Sequence, residues 1–420
     1  MTAAQFCGAA SELAAALPKK RCVINGCNDR LNFLLGFAAA LIARQVSLLP
    51  PSRAAATLQE LAAAHGGSYC LTDDADLPAG LPAMMLPPWR GTSNATVPEI
   101  PDEQIAITAF TSGTTGRSRP QSRSWGSLVL AAELTNRRLG LPQHSRACIL
   151  GTVPPQHMYG FETTVMVPLQ SGVSVHGARP LLPADVAAAL DGMPGERWLA
   201  TTPVHLRACL AAGIAFPPLA GVLSATMPLP ADLAALIEDR WATTVHEIYG
   251  CTETGTVALR KPTADDNWRV MDGITLHQKG DATFAHGGHL AEPMQLPDGI
   301  ALSNPQLFQL LGRPQDMVKV AGKRASLDTL NRELLRVRGV QDGAFFVPEH
   351  AATGRQRLAA VVAAPGLTAD VILRALRQRL DPAFLPRPLL IVDALPRNAT
   401  GKLPREALLA LTAAAKRESA

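Results

Sequence analysis

The chain has no Cys-x-x-Cys pair: its seven cysteines, at 7, 22, 27, 70, 148, 209 and 251, are scattered and odd in number. That usage points to a reducing compartment and away from a zinc site. The N-terminus lacks the basic-then-apolar pattern of a signal peptide, and the apolar run around Leu31 to Leu49 is broken by Arg44 and Gln45. No membrane span is expected, and a cytoplasmic protein is. A formal charge of +4 over 420 residues is too mild to suggest nucleic acid. There is no internal repeat or low-complexity tract, and mild alanine enrichment is the only bias. Nor is there a Walker A loop, because no Gly-Lys-Ser or Gly-Lys-Thr follows the glycine-rich stretch near residue 113.

What is present is enough for a folded chain of more than one core. With 47% hydrophobic and 18% charged residues the protein should be globular, and 420 residues exceed what one core usually organises. Short β-like runs alternate with alanine- and leucine-rich helical ones over residues 20–260, an α/β pattern. Strands are expected at Ile105 to Phe110, Ala147 to Thr152 and Gly221 to Ser224, with helices at Ala54 to Ala64, Pro183 to Leu190 and Ala231 to Arg240. The stretch from Lys261 to Pro305 is rich in Gly, His, Asp and Pro, which predicts irregular or antiparallel structure.

After Arg313 the pattern changes. Leu327, Leu330, Leu334, Leu335 and Val337 fall at helical spacing, with Asp328 as an N-cap or first-turn acid and Gly339 as a stop. β-like runs at Ala344 to Val347, Leu358 to Ala363 and Leu389 to Val392 flank a helix over Ala369 to Leu380, an α+β order. Residues 313–420 carry 18 Lys+Arg against 10 Asp+Glu, whereas residues 1–312 carry 21 against 25. A basic C-terminal body on a mildly acidic one suits an anionic partner, or simply a solvated arginine face. The expected division is 1–313 and 314–420.

The chemistry starts at Thr111-Ser112-Gly113-Thr114-Thr115-Gly116, followed by Arg117 to Arg119. Two glycines let the backbone turn its N–H groups inward, and four hydroxyls add donors toward phosphate oxygens. Standing alone, such a loop is also compatible with a polar surface turn. Four further segments follow in order: Pro154-Pro155-Gln156-His157-Met158-Tyr159-Gly160, then Tyr249-Gly250-Cys251-Thr252-Glu253-Thr254-Gly255, then Gly312-Arg313-Pro314-Gln315-Asp316 through Lys319 to Gly322, and Leu395-Pro396-Arg397-Asn398-Ala399-Thr400-Gly401-Lys402.

These five segments, over roughly residues 100–405, resemble the adenylate-forming superfamily of acyl- and aryl-CoA synthetases, adenylation domains and luciferases. The resemblance implies a large N-terminal domain of layered sheets and helices with a small, mobile α+β C-terminal domain. It implies attack of a carboxylate on the α-phosphate of ATP, giving acyl-AMP and pyrophosphate, and then transfer of the acyl group to a thiol. By that resemblance Glu253 holds Mg2+ against the phosphates, Thr252 donates to the α-phosphate and Tyr249 stacks on adenine. Asp298, 15 positions before Arg313, accepts the ribose hydroxyls, and Arg313 donates near ribose or phosphate. Ser224, Ala225 and Thr226 line adenine, and Glu247 is counted with them. His157, Tyr159, Met227 and Gly250 border the acyl pocket. Lys402 bridges the reacting carboxylate and α-phosphate, and Gln315 stands at the hinge.

The chain departs from the family pattern in places. Arg119 replaces the loop lysine and Ser118 the proline before it, Gln315 replaces the usual charged hinge residue, and Thr329 and Asn331 stand where acids are usual. Arginine still meets phosphate bidentately. The large domain is trimmed, which favours a compact acid, and Arg123-Ser124-Trp125-Gly126-Ser127-Leu128 resembles short bacterial ligases of aryl-polyene or xanthomonadin-type pathways acting on hydroxybenzoate-like acids. The acceptor is coenzyme A or an acidic acyl carrier protein bearing phosphopantetheine. Two other readings remain: a fatty-acid ligase, and a non-catalytic adenylate-binding sensor or scaffold.

Overall fold

The computed structural model describes residues 1–74, 80–88, 95–110, 120–141, 146–312, 316–320, 323–348, 358–398, 403–404 and 407–411. The fold is α/β, as the alternating pattern predicts. Among the described residues a six-stranded sheet runs in the order Ala83–Met85, Tyr69–Thr72, Cys22–Asn25, Val46–Leu49, Ile105–Phe110, Pro120–Ser124. Its first five strands pair in parallel and the last antiparallel. The four inner strands are short and largely buried, so they read as continuous apolar runs rather than alternating ones, while the edge strands Ala83–Met85 and Pro120–Ser124 are mostly exposed or half-buried. The helix Arg30–Ile42 packs one such face through Phe33, Leu34 and Phe37.

A nine-stranded sheet is ordered Gly299–Asn304, Leu307–Gly312, Trp268–Val270, Gly255–Arg260, Val245–Cys251, Gly221–Ser224, Glu196–Thr201, Ala147–Gly151, Ser174–Val175. Its last five strands are mutually parallel, and the direction reverses at the hairpin between Val245–Cys251 and Gly255–Arg260. Five parallel strands therefore release their chains at one carboxyl edge, the edge where open α/β sheets bind ligands. Arg30, 1% exposed, joins the two sheets. It donates to the carbonyls of Gly151 at 2.8 Å and Val153 at 3.1 Å and to Thr164 Oγ1, and burial lowers its pKa to about 10.

The stretch expected to be irregular, from Lys261 to Pro305, is antiparallel: Ile274–Lys279, Ala282–Gly287 and Leu290–Gln295 form a meander. Past residue 316, apolar side chains gather in two clusters of their own, one around Leu330, Leu334, Ile372 and Leu376 and one around Phe346, Val361 and Leu395. The strands Asp342–Phe346, Ala359–Ala363 and Leu389–Ile391 lie between them. The helix Leu327–Leu335 is capped by Ser326, whose Oγ accepts from Thr329 N at 3.0 Å, while Asp328 lies in the first turn. Asn331 Oδ1 accepts from Phe345 N at 2.6 Å, tying that helix to its sheet.

Candidate active site

The carboxyl edge of the nine-stranded sheet collects most of the predicted residues that the structure describes. Leaving Ala147–Gly151, the chain runs through Pro154 to His157, which caps the short helix Met158–Phe161 and is half-buried. Tyr159, on that helix, donates its hydroxyl to the carbonyls of Leu223 at 2.8 Å and Thr201 at 3.1 Å, so it is anchored across two neighbouring strand ends. Burial pushes its pKa up.

Leaving Gly221–Ser224, the chain turns through Ala225, Thr226 and Met227. Thr226 has φ 76°, a conformation β-branched residues avoid. Ser224 Oγ and Thr226 Oγ1 are buried and, among the described residues, have no hydrogen-bond partner. Two orphaned hydroxyls and a strained backbone in one four-residue stretch suit a polar ligand group. Met227 Sδ lies 3.5 Å from Arg397 Nη1.

Leaving Val245–Cys251, the chain makes a tight turn, Thr252 to Thr254, and returns as Gly255–Arg260. Thr252 and Glu253 are half-buried at its tip. A Cβ on Gly250 would stand 2.0 Å from the Gly255 carbonyl, so only glycine permits this hairpin. The pairing slips between Tyr249 and Gly250, a bulge that aims the turn. Tyr249 packs its ring on Trp268 and Phe308, at centroid distances of 5.5 and 5.6 Å, and donates its hydroxyl to Asp298 Oδ2 at 2.9 Å. Asp298 precedes the strand Gly299–Asn304, whose Gly299 pairs with Gly312. The expected ribose aspartate and adenine tyrosine are thus in contact.

Glu247 is placed differently from a nucleotide ligand. It is 2% exposed; Oε1 accepts from Leu229 N at 2.8 Å and Oε2 from Arg260 Nε at 2.7 Å. Burial raises its pKa to about 7 against the pull of Arg260, which also stacks over Trp268. Both oxygens are spent inside the protein, so any effect on a nucleotide runs through those partners.

The loop Thr111 to Arg119, Arg313, Gln315 and Lys402 lie outside the described residues. Their flanks are described. Phe110 and Pro120, on either side of the loop, pair in antiparallel strands. Arg397, five positions before Lys402, pairs with Asp342 through two bonds of 2.6 and 2.7 Å and rests on Met227.

Among the described residues no group of three His, Cys, Asp or Glu is arranged to hold a metal by itself. The donors at the turn are one carboxylate and a threonine hydroxyl, a set that suits magnesium taking its other oxygens from phosphates and water. Sequence reasoning passed over Glu162 and His289 and gave Arg123 no role beyond its place in the Arg123-to-Leu128 segment; all three lie buried beneath this turn. The available signal was a glutamate inside the apolar run Gly160-Phe161-Glu162-Thr163-Thr164-Val165-Met166. No helix among the described residues is long and apolar enough to cross a membrane.

A carboxyl edge lined by hydroxyls without partners among the described residues, a turn-borne glutamate and a tyrosine-held aspartate is the kind of edge at which α/β folds bind ligands. More narrowly, the chain belongs to the AMP-binding enzyme family, whose model matches residues 37–277. It is 31% identical over 304 residues, 70% of this chain and 73% of the relative, to a 4-coumarate--CoA ligase of Rhodobacter capsulatus. It is 29% identical over 315 residues, 71% of this chain and 74% of the relative, to the 4-coumarate--CoA ligase of Halorhodospira halophila. In fold it resembles the o-succinylbenzoate CoA synthetase of Bacillus subtilis solved with its acyl-adenylate intermediate, with a TM-score of 0.79 at 17% identity, covering 96% of this chain and 91% of that one.

Proposed function

We propose that the chain is an AMP-forming acid–thiol ligase that activates a small aromatic carboxylic acid. The observation that carries this reading is the meeting of Ser224 to Met227, the Thr252–Glu253 turn and the Tyr249–Asp298 pair at one sheet edge. The aromatic class is supported by the 4-coumarate--CoA ligases among the relatives and by the compactness of a trimmed large domain.

The first half-reaction forms a bond from a substrate carboxylate oxygen to the α-phosphorus of ATP and breaks the bond to pyrophosphate. Charge accumulates on the α-phosphate, so positioned cations and donors do most of the catalysis. Asp298, a two-oxygen acceptor, takes the ribose diol, with Tyr249 fixing its orientation. Thr252 donates to the α-phosphate. Glu253 would hold the magnesium ion, whose charge offsets that of the phosphates. Residues 111–119 take the β- and γ-phosphates, and Arg313 donates near the ribose. Ser224 and Thr226 offer hydroxyls to the base, while His157, Tyr159, Met227 and Gly250 border the acid. Lys402 places an ammonium between the two reacting anions. In the second half-reaction a thiol sulfur attacks the acyl carbon and AMP leaves.

The chain divides at residue 313, with 1–313 and 314–420 as two bodies and Gln315 at the pivot; the separate apolar clusters past residue 316 support that division. The acceptor is coenzyme A or a carrier protein's phosphopantetheine, both anionic and both suited to the basic C-terminal quarter. ATP–pyrophosphate exchange over a panel of aryl and fatty acids tests the reading. Hydroxybenzoate-type acids should drive exchange, and Lys402→Ala should lower it about a hundredfold or more. Faster exchange with medium-chain acids would sink the aromatic assignment. Absence of exchange with every acid tested would favour a binding module. Thioester formation with each thiol separately identifies the acceptor.

A further inference from the structure

Beneath the Thr252–Glu253 turn lies a polar network to which the functional reading gives no role. Glu162, 5% exposed, opens a five-residue π-helix, Glu162–Met166, directly after the histidine segment. π-turns of this kind concentrate at functional positions. Its Oε2 accepts from Thr256 N at 3.0 Å and from Thr256 Oγ1 at 2.7 Å. Gly255, at φ 66°, passes so close that an added Cβ would stand 2.3 Å from Glu162 Oε1 and 3.3 Å from Arg123 Nη1.

Arg123 is 7% exposed and stands on the strand that leaves the loop 111–119. It donates to Ser127 Oγ at 3.0 and 3.2 Å, and that hydroxyl donates to the His289 carbonyl at 2.9 Å. His289 Nε2 lies 2.7 Å from the Thr254 carbonyl. Burial and Arg123 lower the His289 pKa to about 4, so the ring is neutral and Nε2 is the donor. Burial lowers the Arg123 pKa against the opposing pull of the Glu162 carboxylate.

We infer that Glu162 is a positioning residue: with Arg123 it fixes the returning limb of the turn, and so the place of Glu253, against the strand that follows the phosphate loop. Three segments distant in sequence, at 123, 162 and 254–256, are held in one register by two buried routes: Glu162 on Thr256, and Arg123 through Ser127 and His289 on Thr254. Neither route runs through substrate. They act through Thr254 and Thr256 on a turn whose carboxylate must meet a cation within tenths of an ångström. The inference rests on the functional reading above, in which Glu253 faces the nucleotide phosphates.

The test is equilibrium binding of ATP, with magnesium and with chelator, to the full chain and two variants. Glu162→Gln keeps an acceptor for Thr256 and removes the carboxylate charge beneath the turn. The double variant Arg123→Met/Glu162→Met removes both charges and avoids a lone buried cation, so it keeps the fold where a single truncation could lose it. Thermal melting is recorded for each. We expect Mg·ATP to bind about tenfold more weakly to both variants, metal-free ATP to change less than twofold, and melting to stay near that of the unmodified chain. Equal loss of both ligands in step with a lower melting temperature would mark a merely structural role and overturn the inference. Unchanged Mg·ATP affinity in both variants would overturn the inference alone, whereas no binding by the unmodified chain would overturn the functional reading with it.

Discussion

A threonine at φ 76° costs of order 1 kcal/mol relative to relaxed backbone, and Thr226 bears that cost beside an orphaned hydroxyl of its own and that of Ser224. A buried donor without a partner costs more than a removed one. Ser224→Ala should therefore leave the free protein equally or slightly more stable, by up to about 1 kcal/mol, while raising the KM for ATP severalfold; melting curves and exchange kinetics check the two halves. Tyr249→Phe removes the bond to Asp298 and should raise the KM for ATP about fivefold, equivalent to about 1 kcal/mol, with the KM for the acid unchanged. At this scale the motif residues were legible because hydroxyls, an acid and glycines at fixed spacing have few other uses. Arg123 and Glu162 were not, since a charge that is buried and paired reads the same in sequence as one in solvent. Glu247 shows the converse: adjacency to a motif says nothing about which way a carboxylate points.

At the scale of elements, the hairpin Val245–Cys251/Gly255–Arg260 depends on one missing atom. Gly250→Ala would push a Cβ into the Gly255 carbonyl, 2.0 Å away. The expected result is destabilisation of about 2 kcal/mol or more, read by denaturant unfolding, with loss of exchange activity. Periodicity placed the parallel strands and their helices well: Gly221–Ser224 has the predicted ends, and Pro183–Asp191 and Ala231–Trp241 each run one residue further. It passed over Ala3–Ala16, where a Thr2–Gln5 capping box starts a helix whose alanines hardly distinguish one face from another. The antiparallel meander was readable only as a departure from α/β rhythm, because its pairing is set by turns such as Gly287-Gly288 rather than by strand composition. At Leu327–Leu335, Ser326 rather than Asp328 supplies the cap, a choice that turns on which side chain reaches Thr329 N.

For the whole molecule, buried imidazoles set a limit in acid. Burial lowers the pKa values of His246 and His289 to about 4. Both rings are therefore neutral in the fold while the unfolded chain protonates near 6.5. The stability they contribute is present above that value and is lost as pH falls toward 4, by of order 3 kcal/mol for His289. Urea unfolding at pH 7.5 and 5 should show the loss, and His289→Gln, which keeps a donor for the Thr254 carbonyl, should flatten it. The α/β class and the order of motifs could be read from the chain. The distribution of work between sheets could not, because it depends on which strands become neighbours.

That distribution has a consequence for synthesis. All six strands of the first sheet lie within the first 124 residues, whereas the nine-stranded sheet draws strands from Ala147 to Gly312. The ribosome thus delivers the first sheet's strands more than 180 residues before the partner of Gly299 emerges. Asp298 is then added to a surface already shaped by its neighbours. Released chains truncated after residue 260 should resist protease over the first sheet while their Thr252–Glu253 turn stays cleavable, so that the nucleotide edge is the last part of the large sheet to mature.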